Sequence, residues 1–259
     1  MIESAHGFPV SRASSIPTVT AAQMAEVDRL AVDEFGIDIL QMMEHAGSHL
    51  AELVRAEVGG DLRTRRVVIA VGPGNNGGGG LAAARHLANR GASVRVVLAR
   101  PVSRLTEAGR HQLGTLLQMS VNCCVAIYDV PDDELDRELA SADAIVDAIL
   151  GYRASGAPHD GVRWLVNRIA RASAPVISLD LPSGVDADTG ETPGAAVSAA
   201  ATLTLALPKP GLFSEGGRSC AGRVHLADIG LPAALYRRLG LDPGMPFASG
   251  PIVRLEADV

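Results

Sequence analysis

Short, mostly apolar runs that alternate with helix-patterned stretches constrain this chain more than any other feature. Arg66 to Val71, Val94 to Leu98, Ala144 to Ile149 and Val176 to Asp180 are such runs, rich in Val and Ile, and Cys123 to Tyr128 reads as another strand of the same kind. A strand apolar on both sides must be covered on both sides, which parallel strands joined by crossover helices achieve. Helical patterns fall between them: Leu81 to Asn89 closed by Gly91, Glu107 to Met119, Asp132 to Ala140, and Gly161 to Ala172. The alternation predicts a three-layer αβα, Rossmann-like, doubly wound fold around a mostly parallel sheet.

Two helices precede the first of these strands. Thr20-Ala21-Ala22-Gln23 is a capping box, followed at helical spacing by Met24, Val27, Leu30 and Ala31 to about Glu34. After Gly36, the positions Leu40, Met43, Gly47, Leu50 and Val54 repeat that spacing and stop near Gly59-Gly60. Beyond Asp186 the pattern changes. Thr202 to Leu207 and Arg223 to Ala227 look like strands with no strong helix between them, so antiparallel or mixed pairing is expected at that end of the sheet. The expected arrangement is one domain over residues 1–259, its core spanning about 20–232, with tails at 1–17 and 243–259.

Composition narrows the class of partner. The 259 residues are 47% hydrophobic and carry a formal charge of −6, with no basic stripe to neutralise a nucleic-acid backbone. Cys123, Cys124 and Cys220 lack metal-ligand spacing, and the adjacent pair reads as reduced and packed. The opening residues lack a basic head followed by an apolar stretch, and Ala195 to Leu207 is too short to span a bilayer. A cytoplasmic setting, away from membrane and nucleic acid, is the expectation.

Ligands of open parallel sheets sit beyond the carboxyl ends of the strands, and three expected loops there carry chemistry. The first is Gly72-Pro73-Gly74-Asn75-Asn76-Gly77-Gly78-Gly79-Gly80, whose glycines allow close backbone approach to an anion at the start of the next helix. It matches neither the P-loop nor the usual dinucleotide register. No acidic residue follows at about twenty positions, which argues against a Rossmann oxidoreductase. The second follows Asp147, a carboxylate in an apolar strand that needs a cation, a donor network or a ligand; Arg153 and neighbouring amides are the bland partners. The third is Asp180-Leu181-Pro182-Ser183-Gly184, presenting a carboxylate and a hydroxyl together, while Asp186 and Asp188 organise the following turn. His86 and His111 fall in helices and read as solvated or satisfied.

Taken in order, Met43-Glu44-His45-Ala46-Gly47, Val71 to Gly78, Ala84-Arg85-His86-Leu87, Val146-Asp147-Ala148, Asp180 to Asp186 and Pro208-Lys209-Pro210-Gly211-Leu212 resemble the NAD(P)H-hydrate epimerase family, the YjeF N-terminal domain. The resemblance runs from about Thr20 to Pro232. It implies interconversion of the R and S epimers of NADHX and NADPHX, cofactors hydrated on the nicotinamide ring, with one bound K+. It further implies that Asn76, Asp147 and Ser183 are ion ligands. The dinucleotide would contact Asn75, Asn76, Gly77, Gly78, Gly79, then Gly151, Tyr152, Arg153, Ala154, Ser155, Gly156 and Ala157, and Asp180. Epimerising a hemiaminal carbon needs a positioned acid or base, for which Asp180 and Asp147 are both candidates. A homodimer is implied, and no appended dehydratase domain is expected.

The chain departs from the family pattern at three points. Gly79 stands where the family loop usually has Asp, no Lys occurs between Asp147 and Trp164, and His45 replaces a usual Asn. Two competing readings follow: a diverged nucleotide-binding or dimerising module, and an isomerase or lyase acting on another cyclic substrate.

Overall fold

The computed structural model describes residues 7–119, 121–125 and 131–256. Among them nine strands form one sheet, β1 (Val10–Arg12), β2 (Arg66–Val71), β3 (Ser93–Leu98), β4 (Asn122–Val125), β5 (Ala144–Ala148), β6 (Val176–Leu179), β7 (Ala201–Leu205), β8 (Arg223–Ala227) and β9 (Ile252–Glu256). Their order is β1-β9-β8-β7-β6-β5-β2-β3-β4. From β2 the chain winds outward through β3 to β4, then returns to β5 on the other side of β2 and continues through β6, β7 and β8. The reversal leaves a crevice between β2 and β5, the switch point where doubly wound sheets take ligands.

The helices are α1 (Ala21–Asp33), α2 (Ile39–Glu57), α3 (Asn75–Asn89), α4 (Glu107–Gln118), α5 (Asp132–Ala140), α6 (Asp160–Ile169), α7 (Glu215–Ala221) and α8 (Ala233–Arg237). Leu50 and Leu53 of α2, Leu81 and Leu87 of α3, and Leu113 and Leu116 of α4 pack with Val67, Ile69 and Val71 on one face of the sheet. On the other face, Leu135 and Leu139 of α5 and Val162, Leu165 and Ile169 of α6 pack with Val68, Ala70 and Ile145. A further cluster joins α1 and α8 to Val224, Leu226, Val253 and Leu255. The three-layer fold expected from the alternation is the one observed.

The far end differs from expectation. Within the expected tail over 243–259, Ile252–Glu256 is β9, which pairs antiparallel with β8 and parallel with β1. Likewise Val10–Arg12, inside the expected N-terminal tail, is an edge strand. β7 and β8 are themselves parallel, so the antiparallel step falls one strand later than the sequence pattern suggested. Of the strand expected over 123–128, residues 123–125 lie in β4, and 126–128 fall outside the described residues, as do the side chains of Cys123 and Cys124.

The start of α1 forms the expected capping box, with Gln23 N–H donating to Thr20 Oγ1. Asp188 adds a long-range tie, its Oδ1 accepting from Ala21 N–H at 2.7 Å. Glu44 on α2 accepts from Arg85 and pairs with His86 Nε2 at 2.6 Å, so the motif residues around His45 and His86 fasten α2 to α3.

Candidate active site

From Asn75 onward the glycine segment is helix, while Gly72, Pro73 and Gly74 remain a loop. α3 begins at Asn75, six residues earlier than the sequence pattern suggests, and Gly77 through Gly80 are buried in its first turns. Helical glycine costs about 1 kcal/mol relative to alanine, and close packing explains its use. A Cβ on Gly77 would lie 2.0 Å from the carbonyl oxygen of Gly72, and one on Gly80 would lie 2.4 Å from Cβ of Ala148 in β5. The glycines let α3 settle onto the crevice. Gly74 at the N-cap gives no side-chain cap, so the first turn keeps backbone N–H groups that the helix itself does not use.

A cavity of about 380 Å3 opens at this point, lined by both ends of the crevice and roofed by α1 and α2. Asn75, Asn76, Gly79, Gly151, Tyr152, Arg153, Ala154 and Asp180, all expected binders, are on its wall. Gly77 and Gly78 are instead turned into packing, and Ser155, Gly156 and Ala157 are exposed beyond the wall. Met24, Ile39, Met42, Met43 and Ile229 give the cavity an apolar side.

Asp180 follows β6 with φ at +67°, a left-handed conformation that aspartate tolerates better than most residues. Two contacts hold its carboxylate. Tyr152 N–H donates to Oδ2 at 2.9 Å, and Lys209 Nζ donates to Oδ1 at 2.5 Å. Lys209 is wholly buried and also donates to the Leu205 carbonyl at 2.8 Å. Sequence reading missed this lysine, although it stood in a quoted motif. It supplies a cation to the wall although no Lys occurs between Asp147 and Trp164.

Asp147 is fully buried and is not among the residues that line the cavity. Its carboxylate accepts from Ser183 Oγ at 2.5 Å, Ser183 N–H at 2.8 Å, Ser178 Oγ at 2.9 Å and Ile149 N–H at 3.3 Å. Burial pushes its pKa up, opposed by the hydrogen bonds from Ser183. Arg153 is not its partner. Ser183 Oγ in turn accepts from Leu150 N–H at 2.9 Å, and Asn76 Nδ2 donates to the carbonyls of Leu150 and Leu179 at 3.0 and 3.2 Å. Asn76, Asp147 and Ser183 are therefore brought together around one backbone segment. As a donor set they fit a hard monovalent cation: all are oxygen ligands, and the buried carboxylate has hydrogen-bond donors but no cationic side chain among its partners. Binding would require Asn76 to turn its amide oxygen toward the ion. Among the described residues no His, Cys, Asp and Glu cluster suits a transition metal.

A second carboxylate, not singled out in the sequence, reaches the cavity from α1. Asp28 Oδ2 accepts from Tyr152 Oη at 2.6 Å and from Arg153 Nη2 at 3.1 Å, while Arg153 Nε donates to Tyr152 Oη at 2.7 Å. Burial raises the pKa of Asp28, and the Tyr152 hydrogen bond opposes the rise. Burial and the neighbouring Asp28 also push the Tyr152 phenol up, so it stays protonated. The sequence signal was faint: an acid one turn beyond Met24, on the border of the apolar stripe.

A cavity at the switch point, with an ion-paired aspartate on its wall and a helix start at its mouth, defines an α/β small-molecule enzyme of the doubly wound class. Within that class, the family described as YjeF-related protein N-terminus matches residues 39–211, and this chain belongs to it. An NAD(P)H-hydrate epimerase of Dehalogenimonas lykanthroporepellens is 41% identical over 251 residues, 96% of this chain and 97% of that protein. A bifunctional NAD(P)H-hydrate repair enzyme Nnr of Moorella thermoacetica is 41% identical over 218 residues, and the match spans 41% of its length. The crystal structure of the yeast protein YNL200c shares the fold, with a TM-score of 0.78 at 24% identity over 93% of this chain and 100% of that one. Among the described residues no helix is long and apolar enough to cross a membrane.

Proposed function

We propose that this chain is an isomerase that interconverts the R and S epimers of NADHX and NADPHX. The observation that carries the reading is the Asp180 carboxylate, held on the cavity wall by the buried Lys209 and the Tyr152 amide. The names of relatives matched over most of their length support it. A hydrated nicotinamide ring presents an apolar face to Met42, Met43 and Ile229 and a hemiaminal hydroxyl to Asp180, while the start of α3 offers N–H groups to the anionic phosphates. Asp180, rather than Asp147, serves as the acid or base, since Asp180 lines the cavity and Asp147 does not.

Asn76, Asp147 and Ser183 would hold K+, which when bound would supply a fixed positive charge. The protein's own part is to keep Asp180 oriented, through Lys209 and the positive φ, and to exclude bulk water with α1 and α2. Cytoplasmic residence and a homodimer belong to the same reading.

The test supplies purified protein with separated R- and S-NADHX in potassium buffer and follows the epimer ratio by chromatography. Relaxation faster than the spontaneous rate is expected. A relaxation rate equal to that of buffer alone rejects the assignment.

A further inference from the structure

The cavity holds two carboxylates, and the proposed reaction uses both. Resting on the epimerase reading, we propose that Asp28 is a further catalytic residue, exchanging the proton of the hemiaminal hydroxyl on the ring face turned away from Asp180. Tyr152 sets the geometry. Its N–H donates to Asp180 and its hydroxyl, at the far end of the side chain, donates to Asp28, so the two acids stand a tyrosyl length apart on different walls of one cavity. Asp180 rises from the sheet, and Asp28 descends from α1.

Inverting a hemiaminal carbon without breaking the ring requires the hydroxyl to leave one face and water to return on the other. In the first step the C–O bond breaks with its electron pair on oxygen. The Asp28 proton joins that oxygen to give water, and the ring-nitrogen lone pair forms C=N. In the second step water adds to the opposite face, the C=N pair returns to nitrogen, and the surplus proton passes to the Asp180–Lys209 pair. Hydroxide leaves and hydroxide returns, and one proton has crossed from one acid to the other. The enzyme is then in the form that runs the opposite epimer, and exchange with solvent resets it. Two carboxylates in unlike surroundings are the recurring means of splitting acid and base roles.

The surroundings of Asp28 differ from those of Asp180. Asp28 meets Tyr152 and Arg153 from the loop after β5, feels Lys209 and Asp180 across the cavity, and is felt by Tyr236 of α8. Its cationic partner, Arg153, is 60% exposed where Lys209 is wholly buried, and burial favours the protonated form of Asp28 while Tyr152 and Arg153 oppose it.

Asp28→Asn keeps an acceptor for the Tyr152 hydroxyl but cannot exchange a proton. It is expected to lower kcat by about 10²- to 10³-fold, as loss of a general acid does, with KM within about threefold. Tyr152→Phe removes the hydrogen bond that favours ionised Asp28, and should move the alkaline limb of the kcat profile to higher pH. In solvent enriched in ¹⁸O, epimerisation should carry the label into the hydroxyl. The inference is overturned if wild type epimerises NADHX while Asp28→Asn retains kcat within threefold, or if Tyr152→Phe leaves the pH profile unmoved, or if the hydroxyl keeps its original oxygen. A wild type that fails to epimerise rejects the proposed function itself, and this inference with it. Should Asp28→Asn not fold, the Tyr152→Phe profile and the label decide.

Discussion

Replacing Lys209 with methionine probes the ion pair on which the site is built. Lys209 is wholly buried and the Asp180 side chain is 4% exposed, so neither charge has water to fall back on. The change removes the donor 2.5 Å from Asp180 Oδ1 and 2.8 Å from the Leu205 carbonyl while preserving most of the aliphatic stem. Breaking a buried pair by deleting one partner costs about 3–5 kcal/mol, because the survivor is stranded. For a chain of this size that lowers Tm by roughly 6–20 °C. Adding Asp180→Asn removes the stranded charge, keeps an acceptor for the Tyr152 amide and suits the positive φ. The double variant should therefore recover more than half of the loss. The single variant should also regain stability as pH falls: its lone carboxylate binds a proton in the folded state before the unfolded chain does, so the stability slope with pH is negative. Urea titrations of the two single variants, the double variant and the wild type at pH 8 and pH 5.5 measure all three effects. A Lys209→Met loss below about 1 kcal/mol, against the several expected, or a double variant no more stable than the single one, would refute the reasoning.

Three further outcomes are expected. Gly80→Ala sets a Cβ 2.4 Å from the fixed Ala148 Cβ and should cost about 1–3 kcal/mol, whereas Gly79→Ala meets only the end of Leu179 at 2.8 Å and should cost less than half as much; equal losses in denaturant melts contradict the packing account. KCl should raise Tm above choline chloride at equal ionic strength, by the linkage that stabilises any ligand-binding fold, and Asp147→Ala should abolish the difference; a potassium effect that persists in the variant disproves the ion site. Asp188→Ala should cost about 0.5–2 kcal/mol, as loss of a helix-start acceptor does, and an unchanged melting curve would show that its bond to Ala21 N–H contributes nothing.

How much of this was legible depended on where each residue's partners lie. The strands from β2 to β6 could be read because a parallel strand covered on both faces is apolar at most positions, and that pattern is local. The three loops that hold Asn76, Asp147 and Ser183 could be placed at strand ends from the sequence pattern, whereas the grouping of those three residues came only from the family resemblance. The glycines were misread because glycine's poor helix propensity is visible in sequence, while the approach of Gly72 and Ala148 that demands it is not. β9 was missed because Arg254 interrupts its apolar residues Ile252, Val253 and Leu255, and its pairing with β8 and β1 is not visible in the local sequence. Asp28 was invisible as a site residue because Tyr152 lies 124 positions away. Lys209 was seen but given no role, since nothing in Pro208-Lys209-Pro210 says that the amine is buried against Asp180.

The pairing of β1 with β9 also orders the assembly of the molecule. Val10 aligns with Arg254, so β1 has no partner strand until residues 252–256 have followed it out of the ribosome. Closing so long a loop adds only a slowly growing entropic cost, but it makes this corner a late, non-local event in folding. Until then β8 presents an unpaired row of backbone groups, open to pairing with another chain. A nascent chain stalled before residue 252 is thus expected to be the form of this protein most prone to self-association, although the cavity between β2 and β5 is built entirely from residues already made.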